Sequence, residues 1–133
     1  MKSEHLANLH PGWVVGGWLV AIAVTALIYL GGIGLGLVPV DDDALLWVSV
    51  SIAIGFFAGG FFVGIRWAEA PILHAMAITL FSVLVWFVAA LLDEPVSARS
   101  LTAGLGLILL QLVASMGGGW AGRRMTLGGG AAQ

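Results

Sequence analysis

The chain contains no cysteine, which excludes disulfides, thiolate metal sites and cysteine nucleophiles. Charge is almost as scarce. Asp, Glu, Lys and Arg make up 9% of the 133 residues, where a soluble domain carries about 25%. Five Lys and Arg against seven Asp and Glu leave a net charge of −2. That balance offers no clustered basic field, and with it no footing for nucleic acid. Nucleophile–base–carboxylate arrangements, paired carboxylates inside an apolar run and phosphate loops with a lysine are all missing, so the reading is non-enzymatic. His5 and His10 have no carboxylate or thiol companions, so no metal site follows from them.

What the chain has instead is apolar length. Hydrophobic residues make up 60% of it, and 20 residues are glycine. Crossing about 30 Å of hydrocarbon takes about 20 mostly apolar residues. Four stretches free of Asp, Glu, Lys and Arg qualify: about 13–35, 45–65, 72–92 and 101–121. The expected fold is therefore all-α, a polytopic four-helix transmembrane domain with a flexible tail over 125–133. The first apolar run is too long for the h-region of a cleaved leader and reads as a retained anchor. Lys2, Arg66, Arg123 and Arg124 fall on one side and Arg99 alone on the other, which puts both termini in the cytoplasm. Trp13, Trp67 and Trp120 then mark the cytoplasmic interface and Trp47 the outer one. Asp41, Asp42, Asp43, Asp93 and Glu94 lie in the outer loops. The three consecutive aspartates read as a solvated turn capping the second span.

The second span ends Gly59-Gly60-Phe61-Phe62-Val63-Gly64-Ile65-Arg66 and the fourth Gly117-Gly118-Gly119-Trp120-Ala121-Gly122-Arg123-Arg124. At an offset of 58 the three glycines and the final arginine coincide. Pro11 and Pro71 each open a pair of spans. The pattern reads as two helical hairpins that start and end on the same side, so the repeats are parallel, unlike the inverted repeats of many transporters. The stretches Gly59, Gly60, Gly64, Arg66 and Gly117, Gly118, Gly122, Arg124 resemble a group of small bacterial four-span membrane proteins. In that group the even-numbered helices end in Gly-Gly-x-x-x-Gly-x-Arg. The resemblance implies the four-span layout and carries no activity.

Helices in lipid associate by close packing, which small residues four apart permit. Gly55/Gly59 and Gly60/Gly64 form two such pairs on faces roughly 140° apart, and Gly118/Gly122 and Ser115/Gly119 form two more. These grooves suit either neighbours within the bundle or helices of another protein. Gln111, near the middle of its span, cannot leave its amide unpaired in hydrocarbon. It makes an interhelical hydrogen bond or holds a ligand. His74, near the cytoplasmic end of the third span, is either hydrogen-bonded or solvated, or else ligates a pigment or haem. The leading expectation is an accessory or structural subunit of a larger bacterial inner-membrane complex, of photosynthetic or energy-transducing type. It would be surrounded by lipid and packed against other subunits or copies of itself. A small oligomeric transporter or channel is the alternative, and a pigment- or haem-binding subunit the third.

With no native cysteine, single-cysteine variants report topology directly. Asp42→Cys and Ser97→Cys are expected to react with a membrane-impermeant maleimide in intact cells, while Ala68→Cys stays protected. The opposite labelling pattern inverts the orientation.

Overall fold

The computed structural model describes residues 9–38, 44–66, 69–92 and 98–128. Its elements are four α-helices: α1 (Pro11–Gly34), α2 (Ala44–Arg66), α3 (Pro71–Leu92) and α4 (Ala98–Gly128). By length and composition each is long and apolar enough to cross a bilayer, which fits a multi-pass membrane protein. Pro11 and Pro71 open α1 and α3, where a fixed φ suits the first turn and no intrahelical N–H is lost. Gly36 closes α1 at φ 68°, the left-handed conformation that glycine adopts without a Cβ clash. Its N–H reaches Ile33 O at 3.0 Å, and the Leu37 N–H reaches Gly32 O at 2.9 Å. Those two bonds make a Schellman cap.

The first three helices agree with the apolar runs to within two residues. The fourth does not. It continues to Gly128, so 125–128 belong to the helix rather than to a flexible tail. Absence of charge delimits a membrane span, but an aqueous helix needs only its backbone bonds. At 1.5 Å per residue α4 is about 46 Å long, more than the hydrocarbon requires. Beyond the apolar run the Arg124 guanidinium stacks 3.9 Å from the Trp120 ring, one turn back. Thr126 Oγ1 donates to Arg123 O at 2.8 Å. The aspartates at 41–43, Asp93, Glu94, Trp67 and the tail over 129–133 lie outside the described residues.

α2 is the most buried helix. It packs against α1 on one side and α4 on the other, while α3 lies against α4 and, less closely, α1. Although only a short connection separates α2 from α3, these two share the slimmest of the main helix contacts. Trp13 against Phe62 near one end and Gly32 against Trp47 near the other make α1 and α2 antiparallel. The buried core is small: Val14, Ala21, Phe56, Val63 and Ile78, with Trp18 and Phe81 in edge-to-face contact at 5.1 Å beside it.

Candidate functional site

The six glycines singled out as packing residues all lie in helix–helix seams inside the bundle. On the α1 side, a Cβ built on Gly55 would collide with Thr25 Oγ1 and lie 2.5 Å from Ala21 O. One on Gly59 would strike Gly17 O and lie 2.9 Å from Ala21 Cβ. On the α4 side, a Cβ on Gly60 would meet Ser115 O, and one on Gly64 would meet Gly119 O. Approached from α4, Gly118 faces Phe57 O, and Gly122 lies 2.5 Å from Phe61 O by the same construction. These grooves are therefore filled by the chain's own helices and offer nothing to a helix from outside. Gly17 and Ala21 on α1, which receive α2, were missed although they are themselves small residues four apart, a spacing that could have found them. Gly32 was missed too. The Trp47 indole covers it, so Trp47 packs on α1 rather than standing as a simple interface anchor.

α3 is held differently. Ser115 Oγ lies 3.1 Å from Ala75 O, from Thr79 Oγ1 and from Leu112 O, and Thr79 Oγ1 also reaches back 3.3 Å to Ala75 O. Ser115 and Thr79 are both buried. Ser115 thus presents its carbonyl to α2 and its hydroxyl to α3, joining three helices at one residue.

His74 is fully buried rather than solvated. Its Nε2 accepts the His10 backbone N–H at 3.1 Å, and its Nδ1 lies 2.8 Å from Ala70 O. A backbone N–H can only donate, so Nε2 is bare and the proton sits on Nδ1, donated to Ala70 O. The neutral ring therefore ties the start of α1 to the start of α3. Both nitrogens are used, so His74 has none left to ligate the metal of a haem or pigment. No group of three or more His, Asp or Glu able to hold a metal occurs among the described residues.

Gln111 makes no interhelical hydrogen bond. Its Oε1 is buried without a partner. The side chain lines a cavity of about 170 Å³ between α2, α3 and α4, together with Ile52, Ser82, Trp86, Gly104 and Ile108. A larger and almost wholly apolar groove of about 620 Å³ runs between α1 and α3, walled by Val15, Ala77, Leu80, Phe81, Leu84 and Phe87. Compared with protein-family models, curated proteins and solved structures, the chain matches none.

Alanine substitution separates seam glycines from idle ones. Gly60→Ala and Gly118→Ala push a methyl into a neighbouring backbone and are expected to destabilise the bundle by about 1–3 kcal/mol. Gly31→Ala and Gly106→Ala, where a Cβ meets nothing within 4 Å, are expected to be neutral or stabilising by up to about 1 kcal/mol. Denaturation in detergent followed by circular dichroism measures the difference, and equal stabilities for the two pairs would contradict the seam assignment.

Losing the imidazole of His74 removes its bonds to the His10 N–H and to Ala70 O. His74→Leu is expected to cost about 1–3 kcal/mol in the same assay, and wild-type stability would show that the link carries no weight.

Proposed function

We propose that the chain is a non-enzymatic integral membrane protein of the bacterial inner membrane, acting as a structural or accessory subunit in a larger assembly. The observation that carries this reading is the unequal closure of the bundle. α2 is sealed against α1 and α4 by backbone contact, whereas the α1/α3 side keeps its apolar groove. Lipid tails are as apolar as leucine, so hydrophobicity alone favours no occupant, and the shape of the groove decides. Exposed Leu80, Leu84 and Phe87 stand along one side of α3 at helical spacing. Such a ridge beside a groove interlocks with the ridge of another helix. The occupant proposed is a transmembrane helix of a partner subunit, in an assembly of photosynthetic or energy-transducing type.

In this reading both termini are cytoplasmic, which the clustering of Lys2, Arg66, Arg123 and Arg124 at one end supports. The two hairpins are parallel repeats about a pseudo-twofold along the membrane normal. Reciprocal contacts support that arrangement. Gly60 meets residue 115 while Gly118 meets residue 57, and Gly64 meets residue 119 while Gly122 meets residue 61. Each member of a pair is its counterpart shifted by the same 58-residue offset. That exchange of partners is what a twofold interface requires.

The test is a photo-crosslinking amino acid at Leu84, in the groove, and at Leu109, an exposed position on α4 outside it. The expected result is one membrane protein that forms an adduct from Leu84 but not Leu109 and is recovered stoichiometrically with the chain in mild detergent. Adducts at twice the chain's mass would favour the oligomeric transporter or channel instead. Capture of lipid alone from Leu84, with the bundle running by itself, overturns the subunit reading.

A further inference from the structure

We propose that the cavity between α2, α3 and α4 binds a hydroxyl-bearing six-membered ring, the headgroup chemistry of a phenol or a quinol. Gln111 is the residue that points to it. Near the middle of the apolar run of α4 there is no water to satisfy an amide, and an unpaired buried carbonyl costs about 1–3 kcal/mol. Oε1 of Gln111 is buried and unpartnered, and its side chain borders about 170 Å³ of empty space. Among the described residues three other buried polar atoms lack partners: Trp18 Nε1, Thr25 Oγ1 and Trp47 Nε1. Thr25 is pressed against Gly55, Trp47 covers Gly32, and none of the three residues lines this cavity. Gln111 combines an unmet hydrogen-bonding need with room for the molecule that would meet it.

The cavity constrains that molecule in three ways. A void of about 150 Å³ in a protein interior accepts a benzene ring, so the volume here takes one six-membered ring. An amide oxygen only accepts, so the ring must carry a donor, and a hydroxyl is the donor that an otherwise apolar ring brings. The Trp86 indole stands against Gly104, 3.8 Å from where a Cβ would sit, and offers an aromatic wall for the ring to pack on. Ser82 is a second polar residue on the same lining. The depth requires a lipid-soluble ligand, and a phenolic or quinol headgroup on an apolar tail meets that requirement.

The probes are 4-fluorophenol and 4-fluoroanisole, which differ in the donor, observed by fluorine NMR with the whole protein in phosphatidylcholine nanodiscs. The wild type is expected to show a saturable bound resonance and to prefer 4-fluorophenol by roughly three- to tenfold, the worth of one net hydrogen bond. Gln111→Leu is expected to abolish that preference while still admitting both rings. Gly104→Ile grows a side chain into the cavity from a position where the first carbon fits, and is expected to remove binding of both. Absence of a saturable resonance in the wild type overturns the proposal. Equal affinity for the two probes, or a preference unchanged by Gln111→Leu, overturns it as well. Should Gln111→Leu fail to assemble, Gly104→Ile decides alone, because binding that survives a filled cavity is binding elsewhere. The outcome does not depend on what the α1/α3 groove holds.

Discussion

The structure depends on how closely α2 approaches α1 and α4. In water, helices are driven together by burying apolar surface, but lipid removes most of that drive and leaves contact distance as the main variable. Along both seams, the atom standing where a glycine Cβ would be is in most cases a carbonyl oxygen of the neighbouring helix: Gly17 O at Gly59, Ser115 O at Gly60, Gly119 O at Gly64, Phe57 O at Gly118 and Phe61 O at Gly122. In glycine that position holds a hydrogen, so the seams are rows of Cα–H groups aimed at carbonyls. Each such contact contributes about 0.5–1 kcal/mol. The value is small singly, but it repeats along both sides of one helix, and any side chain larger than hydrogen removes it.

Close approach along α2 explains what is unusual elsewhere. Backbones that touch leave little volume for large side chains, which is why the buried core is short and holds a single phenylalanine. α3 touches the glycine seams only through Pro71 at Gly119 and Ile78 at Gly17, and directional bonds fix it as well, through Ser115, Thr79 and Ala75 in the bundle and through His74 and His10 at its start. Hydrogen bonds fix position without filling volume. Spaces of about 620, 420 and 170 Å³ accordingly border α3. Shape holds one half of the molecule and polarity the other, and the empty volume collects where polarity does the holding.

Much of this was legible in the sequence, and the limits have physical causes. Charge-free runs located α1 to α3 because in a membrane the solvent penalises charge along the whole helix. They stopped short on α4 because helix propagation outlasts the bilayer. Gly55, Gly59, Gly60, Gly64, Gly118 and Gly122 could be picked out by spacing, but spacing reports only that a face is small. Whether the partner is the same chain is a matter of tertiary arrangement. Gly17 and Ala21, which face Gly59 and Gly55, have the same spacing and could have been picked out with them. His74 was read as an interfacial side chain from its depth along the helix. It is buried and bonded to the His10 N–H at the start of α1, a long-range contact that no local pattern encodes.

Gln111 and His74 stood level in the sequence, as polar side chains in apolar runs, each open to a structural or a ligand role. The structure separates them by a single criterion. Each ring nitrogen of His74 has a partner within the chain, and the residue is sealed from every side. Gln111 has an oxygen with no partner and a space beside it. The cost of an unsatisfied amide in hydrocarbon ranks them. A bundle built on glycine seams could have put leucine at 111 without disturbing any of them, since the α4 residues that meet α2 backbone-to-backbone in those seams are 115, 118, 119 and 122. The amide is therefore a cost that packing does not explain, and an occupant able to donate a hydrogen bond is the simplest arrangement that offsets it.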